Sequence, residues 1–115
     1  VPVVPARAAC PGRIARAIDF IRANLEREIS VAELANVACL SPSHFARMFR
    51  RVTGTTAHGF VSAERLALAR TLLADRSIPL VSVAHRAGFS TQAAFGTAFK
   101  RATGTTPGAY RRRVA

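Results

Sequence analysis

An internal repeat organises this chain. The twelve residues Phe45–Thr56 recur as Phe95–Thr106, with seven identical positions. Upstream the offset falls from 50 to 49, because Ala35, Ala38 and Ser41 match Ala84, Ala87 and Ser90. Two copies are too few for a solenoid, which needs about three stacked repeats. The repeat therefore predicts a small module that occurs twice, with one residue gained in the second copy near positions 91–94.

Each copy has the pattern of a short helix, a tight turn and a longer helix. In the first copy, Ser41 is a candidate N-cap, and Pro42 is suited to the first position of the longer helix. The longer helices are followed by Gly54 and Gly104, the residue type that most often ends a helix. Neither copy shows the alternating polarity of a strand. The predicted helices are 31–38 and 42–53 in the first copy, and 80–87 and 91–103 in the second.

Three more helices, over 13–27, 57–75 and 106–112, are predicted around these pairs. The sequence thus predicts an all-α fold of seven helices forming two helix-turn-helix subdomains joined by a long linker helix. The nineteen residues of that linker helix would span roughly 28 Å, close to the 34 Å of one turn of B-DNA. The expected division is 1–12 as a linker from a missing upstream domain, 13–56 and 76–115 as the two subdomains, and 57–75 as the linker helix.

The charge balance favours a polyanionic partner. The 115 residues carry 17 Lys and Arg against 6 Asp and Glu, which gives a net charge of +11. All but one of the basic residues are Arg, whose planar guanidinium pairs well with phosphates and guanine edges. A basic module that binds a membrane surface or a protein is the alternative. No uncharged run exceeds 13 residues, which excludes a membrane-spanning helix.

The helix-turn-helix places its second helix in the major groove of DNA. In both copies the longer helix has one apolar face, which docks it, and an opposite face that is free to meet base edges. The predicted buried faces are Phe45, Met48, Phe49 and Val52 in the first copy, and Phe95, Ala98, Phe99 and Ala102 in the second. The predicted exposed faces are Ser43, Ala46, Arg47 and Arg50, and Ala93, Gly96, Thr97 and Lys100.

An ordered set of residues along the chain carries a resemblance to a known family, and it includes Ser41–Phe45, Arg47–Arg50, Thr53-Gly54, Arg65-Leu66, Gly88–Ser90, Phe99-Lys100, Pro107 and Tyr110-Arg111. Through these residues the sequence resembles the AraC/XylS family of bacterial transcriptional regulators, over residues 13–113. In that family the region is a DNA-binding domain, usually C-terminal to an effector-binding or oligomerising domain. The resemblance implies double-stranded promoter DNA as a partner, RNA polymerase as a candidate partner, and oligomerisation through the upstream domain. A departure is Thr97, where the family often has Arg.

Candidate contact residues follow from these faces and from the resemblance, which puts Arg47 and Gln92 where family members touch bases. An open alternative is that Arg47 only clamps a phosphate and Gln92 is the main reader. Four hydroxyl residues that precede helices are either plain caps or caps that also hold a phosphate, namely Ser41, Thr56, Ser90 and Thr106. The base-reading candidates are Ser43, His44, Arg47, Gln92, Ala93 and Thr97. The phosphate-binding candidates are Ser41, Arg50, Arg51, Ser90, Lys100 and Arg101.

Other functional classes find little support in the sequence. It contains no phosphate-binding loop, nucleophile elbow or dinucleotide fingerprint, so we expect no enzymatic activity. Its three histidines and two cysteines are too widely spaced for a metal site, and we expect no cofactor. RNA is a less suitable partner, because its A-form major groove excludes helices. Two cysteines form no disulfide framework and indicate reduced thiols in the cytoplasm.

Overall fold

The computed structural model describes the backbone of residues 3–114 and the side chains of residues 12–114. Within that range it contains seven α-helices and no strand, which confirms the predicted all-α fold. None of the helices described there combines the length and apolar composition that a membrane span requires. The helices are α1 (Val3–Ala23), α2 (Val31–Val37), α3 (Pro42–Thr53), α4 (Ala57–Leu73), α5 (Leu80–Arg86), α6 (Gln92–Thr103) and α7 (Pro107–Val114).

The chain forms two compact units whose boundary lies inside α4. The first contains α1, α2, α3 and the part of α4 up to Ser62. The second contains the rest of α4, from Ala63, together with α5, α6 and α7, and also the short segment Leu25–Arg27. Helix α4 therefore contributes residues to both units and joins them along the chain, as the sequence predicted. A division in which 57–75 is a segment of its own stays a prediction.

The core of the first unit is built around the aromatic side chains of α3. Phe45 and Phe49 are fully buried, and their ring centroids lie 5.5 Å apart. Phe60 of α4 meets the ring of Phe49 edge-on at 5.4 Å. Complete burial of a phenylalanine side chain stabilises a fold by about 1.5–3 kcal/mol. The apolar faces of α1 and α2 complete this core with Ile14, Ala17, Ile21, Leu34 and Ala35.

The second unit repeats this arrangement on α6. Phe95 and Phe99 are fully buried 5.6 Å apart, and Tyr110 of α7 meets Phe99 edge-on at 5.3 Å. Tyr110 stands fifty residues after Phe60, so the repeat extends into the helix that follows each longer helix. Around these rings pack the buried residues Ala69, Leu73, Val83, Ala84 and Ala87.

Helix α1 begins earlier than the sequence indicated. The sequence predicted the start of this helix at residue 13, yet the backbone is helical from Val3. Pro5 lies in the first turn of α1, where proline costs no hydrogen bond. Several alanines follow it, and alanine is the strongest helix former. A linker role for 1–12 stays a prediction.

Both α1 and α4 end before their predicted last residues, because arginines bind the backbone that follows them. After α1, Arg65 donates from Nε to the carbonyl of Leu25 at 3.1 Å and from Nη2 to that of Arg27 at 2.8 Å. After α4, Arg111 donates in the same pattern to the carbonyls of Leu73 and Asp75, at 3.0 and 3.2 Å. These carbonyls are satisfied by guanidinium groups instead of by further helical turns.

Candidate nucleic-acid interface

Helix α3 presents a basic face opposite its buried phenylalanines. Ser43, Arg47 and Arg50 are exposed at positions i, i+4 and i+7, which places them on one side of the helix. Arg51 is exposed beside them, whereas His44 is half-buried. The predicted exposed face is therefore confirmed in full. On the apolar side Met48 is half-buried, and the expected burial of Val52 is wrong, because its side chain is 44% exposed at the end of the helix.

Helix α6 has the same orientation but a smaller exposed face. Gln92, Ala93, Thr97 and Lys100 are exposed, as is Arg101. Gly96 is half-buried, and a Cβ built there would meet no atom within 4 Å. The predicted burial of Ala98 is confirmed only in part, because Ala98 is half-buried. The predicted burial of Ala102 is wrong, because Ala102 is exposed. It lies one turn beyond the buried rings, as Val52 does in α3.

Side-chain caps fix where each longer helix begins. The Ser41 hydroxyl accepts a hydrogen bond from the backbone N–H of His44 at 3.2 Å, which confirms it as the cap of α3. In α6 the cap is Thr91, whose hydroxyl accepts from the N–H of Ala94 at 2.9 Å. Ser90 is therefore not the cap. Thr91 stands fifty residues after Ser41. The residue gained in the second copy therefore lies in the turn that precedes Thr91, and its predicted position near 91–94 is slightly too late.

Matching caps also begin α4 and α7. The Thr56 hydroxyl accepts from the N–H of Gly59 at 3.0 Å, and the Thr106 hydroxyl accepts from that of Ala109 at 3.2 Å. Both residues are exposed. Plain capping accounts for these hydroxyls, and whether they also hold a phosphate stays a prediction.

The turns between the paired helices have the same backbone geometry. The N–H of Leu40 donates to the carbonyl of Ala35, and the N–H of Phe89 donates to that of Ala84, both at 2.9 Å. This is the 6→1 hydrogen bond of a Schellman motif, which needs a residue with positive φ just before its donor. That residue is Cys39 in the first turn, with φ 57°, and Gly88 in the second, with φ 91°.

Sequence reasoning missed the structural arginines. Arg111 stands in a run of three arginines with no feature that distinguishes it in the sequence, but its guanidinium anchors the end of α4. The guanidinium of Arg65 likewise donates to two backbone carbonyls, those of Leu25 and Arg27. An arginine that binds carbonyls leaves no pattern in the sequence, because its partners can be any residue type.

The titratable groups of the described part of the chain do not assemble into a metal site, since no three His, Cys, Asp or Glu side chains there come together. The two exposed faces consist instead of guanidinium, ammonium, amide and hydroxyl groups. Such groups donate hydrogen bonds to phosphate oxygens and to base edges.

The chain is similar to known proteins along most of its length. A model described as a helix-turn-helix domain matches residues 34–113. The probable transcriptional regulator LumQ of Photobacterium leiognathi is 44% identical over 92 residues, which cover 80% of this chain and 37% of LumQ. The arabinose operon regulatory protein of Escherichia coli (strain K12) is 30% identical over 100 residues, which cover 86% of this chain and 34% of that protein. This chain spans about a third of the length of these curated relatives.

Solved structures have the same fold. A transcriptional regulator from Chromobacterium violaceum, described as an AraC-type DNA-binding domain-containing protein, matches with a TM-score of 0.83 and 26% identity, covering 90% of this chain and 93% of that one. The DNA-binding domain of the transcriptional factor AdpA, solved in complex with a target DNA, matches with a TM-score of 0.81 and 30% identity, covering 87% and 90%.

Proposed function

The chain belongs to the AraC family of transcriptional regulators as a helix-turn-helix DNA-binding domain, and from this premise we propose that α3 and α6 each read a major-groove segment of double-stranded DNA. The observation that carries the proposal is that both helices have a buried apolar face and an exposed polar or basic face opposite to it. Each is docked by two buried phenylalanines and exposes polar or basic side chains on the opposite face. A helix of this kind presents its free face to base edges.

The two helices are suited to different parts of the task. Arg47 and Arg50 of α3 have guanidinium groups that can pair with guanine in two hydrogen bonds each. On α6 the side chain suited to a bidentate base contact is Gln92, whose amide can pair with adenine, since Ala93 and Thr97 are small. We therefore assign most base discrimination to α3, and assign to α6 recognition by shape, methyl contacts and phosphates. Ser43 and His44 are assigned to bases or backbone at the start of α3.

Basic residues at the ends of both helices are assigned to phosphates. Arg50 and Arg51 lie in the last turn of α3, and Lys100 and Arg101 occupy the same positions in α6. Phosphate contacts position a protein on the duplex without reading its sequence. We assign no catalytic role and no cofactor to this chain.

Titration of the chain with duplex DNA at several salt concentrations tests the proposal. If about six phosphates are neutralised, log K falls against log salt with a slope near −5. Vesicles of anionic lipid, titrated at physiological salt, are the comparison. A slope near zero, or tighter binding to the vesicles than to DNA, would contradict the proposal and favour a membrane-surface module.

For the whole protein, we propose a regulator that acts on promoters in the cytoplasm, at the nucleoid. The matched segments cover only 37% and 34% of the two curated relatives, which supports a further domain that senses an effector or oligomerises. RNA polymerase is the proposed protein partner. Sedimentation should show this chain as a monomer and the full-length protein as an oligomer.

A further inference from the structure

The second unit contains a cavity of about 420 Å³ between α5 and the start of α6. Ser82, His85 and Arg86 line it from α5, and Gln92 lines it from the first turn of α6. Gln92 is also the first residue of the exposed face that the proposed function directs toward DNA. The cavity therefore lies at the edge of the α6 reading face.

The charge of α5 suits an anion in this cavity. Helix α5 has no acid in its first turn and carries His85 and Arg86 in its last turn. Both side chains are exposed. From Arg76 to the end of the chain the sequence contains no Asp or Glu. Asp75, whose pKa is lowered first by its hydrogen bonds with Ser77 and also by the charge of Arg86, does not line the cavity.

The first unit provides a natural comparison, since α2 stands 49 residues before α5 in the repeat. It has Glu33 in its first turn and no basic residue in its last turn. With this offset Glu33 corresponds to Ser82. In the same way Asn36 corresponds to His85, and Val37 corresponds to Arg86. The repeat thus keeps the backbone geometry of the paired helices while reversing the charge of this face.

We propose that the cavity between α5 and α6 seats one phosphate of the DNA backbone, with Arg86 and His85 as donors and the Ser82 hydroxyl beside them. The inference rests on the proposed function and adds to it two residues of α5 that neither the sequence motifs nor the reading faces single out. The phosphate belongs to DNA rather than to a free anion, because the cavity shares Gln92 with the reading face. It holds the second unit on the duplex, where α6 has few side chains able to read bases.

The test replaces lining residues of the cavity by the residue types that stand at the matching positions of α2. Arg86→Val removes the guanidinium, and Ser82→Glu places a carboxylate where α2 has Glu33. Arg70→Gln is the matched control, because Arg70 is an exposed cation of α4 in the same unit that does not line the cavity. Thermal unfolding by circular dichroism shows that each variant keeps its fold, and either cavity variant alone suffices for the test.

Fluorescence anisotropy with a labelled duplex then measures affinity and its salt dependence. Arg86→Val should bind about tenfold more weakly, the effect of losing one charge-assisted hydrogen bond. Its slope of log K against log salt should be shallower by about 0.9, the value for one phosphate. Ser82→Glu should weaken binding to a similar degree or more, and Arg70→Gln by less than about twofold, the order of effect of a solvent-screened charge.

A set of duplexes, each with one methylphosphonate in place of a phosphate, locates the contact. Methylphosphonate at one position of the duplex should weaken binding by the wild-type protein and leave the affinity of the Arg86→Val variant unchanged. If no position shows this dependence, or if Arg86→Val matches Arg70→Gln, the phosphate seat is wrong while DNA binding stands. Competition by inorganic phosphate at constant ionic strength would also overturn it, in favour of a free-anion site. A wild-type chain that binds no duplex would instead overturn the proposed function.

Discussion

Cys39 and Gly88 occupy the same position in the two turns, and the structure places different demands on them. Both have positive φ, at 57° and 91°. A non-glycine residue pays about 1–2 kcal/mol for the left-handed region, because its Cβ crowds the neighbouring carbonyl. Cys39 is exposed, and the free-energy cost at this position is that of its positive φ. At Gly88 a Cβ would in addition overlap the carbonyl oxygen of Leu25 and lie 2.6 Å from Nε of Arg65.

We predict that Cys39→Gly stabilises the chain by about 0.5–1 kcal/mol. The gain is the relief of left-handed strain, reduced by the larger conformational entropy of glycine in the unfolded state. Urea unfolding followed by circular dichroism measures it. A loss of stability would show that the Cys39 side chain makes a favourable contact that outweighs its backbone strain.

The opposite change in the second turn supplies the control. Gly88→Ala should destabilise the chain by about 2–4 kcal/mol, since it combines unfavourable φ with steric overlap against backbone. If it unfolds in urea like the wild type, the close approach of the Leu25 carbonyl is not a feature of the protein in solution.

The three consecutive arginines near the end of the chain differ in their contacts, which leads to a second prediction. Arg111→Met should destabilise the chain by about 1–3 kcal/mol, because the carbonyls of Leu73 and Asp75 lose their charged donor. Arg113→Met removes the same charge at an exposed position and should change stability by less than about 0.5 kcal/mol. Thermal melts of the two variants compare them directly, and equal losses would contradict the structural role of Arg111.

The loop between α4 and α5 is held by a local hydrogen-bonded turn. The Asp75 carboxylate accepts hydrogen bonds from the Ser77 hydroxyl at 2.6 Å and from the Ser77 backbone N–H at 2.9 Å. These two bonds, the hydroxyl first, hold the pKa of Asp75 below its ordinary value, with a smaller contribution from the charge of Arg111. The carboxylate is therefore favoured in the folded state.

This lowered pKa gives stability that depends on pH. It is fully present above the ordinary carboxyl pKa of about 3.9 and is lost as the pH falls through the lowered value of the folded state. Ser77→Ala should therefore be less stable than the wild type at pH 7, and the two should converge as the pH falls below the lowered pKa of Asp75 in the folded state. Urea unfolding across this range measures the difference. A difference that is constant with pH would mean that Ser77 acts through something other than the carboxylate.

The sequence predicted the elements of this fold well where capping and periodicity define them. Helix α3 has its predicted bounds, and Gly54 and Gly104 end α3 and α6 in the left-handed conformation as expected. The sequence failed where partners distant in the chain decide the outcome. Arg65 and Arg111 end α1 and α4 early, and the cap of α6 lies at Thr91 instead of Ser90, because an alignment of the repeat alone does not locate the gained residue.

The candidate site was predictable to the same extent. The exposed side chains of α3 and α6 follow from helical periodicity once the phenylalanines are assigned to the core. The cavity beside α5 could not be predicted, because its volume depends on how two helices pack. A comparison of Glu33, Asn36 and Val37 with Ser82, His85 and Arg86 would have revealed the change of charge.

The difference between the reading helices gives a prediction for base recognition. Arg47→Ala should cost about 1–3 kcal/mol on the preferred sequence and relax the preference at one or two base pairs. Lys100→Ala should weaken binding to all sequences alike, since a phosphate contact carries no base information. Selection of binding sites from a random library with each variant tests this. If Arg47→Ala keeps the wild-type consensus while Gln92→Ala loses it, the main reader is Gln92.

For the whole molecule, the duplication distributes two kinds of chemistry over two units. All six acids of the chain lie at or before Asp75, and Arg76–Ala115 contains only basic charges. The first unit combines arginines on its reading face with an acid on α2, whereas the second has a small reading face and a basic α5. A repeat that diverged in this way is suited to discrimination by one copy and to anchoring by the other.

The last prediction follows from this division. A monomer with two reading helices should protect two half-sites on DNA, and each half-site should depend on one helix. Arg47→Glu with Arg50→Glu puts acids on α3 and should abolish protection of one half-site by electrostatic repulsion of the phosphates. Lys100→Glu with Arg101→Glu should abolish protection of the other.

Hydroxyl-radical footprinting resolves the half-sites separately, at protein concentrations that saturate the wild-type pattern. The α3 pair should also remove the sequence preference of whatever binding remains, whereas the α6 pair should leave that preference intact and shorten the footprint. A single protected patch in the wild type, or loss of both patches in either variant, would show that the two units do not bind as separate readers.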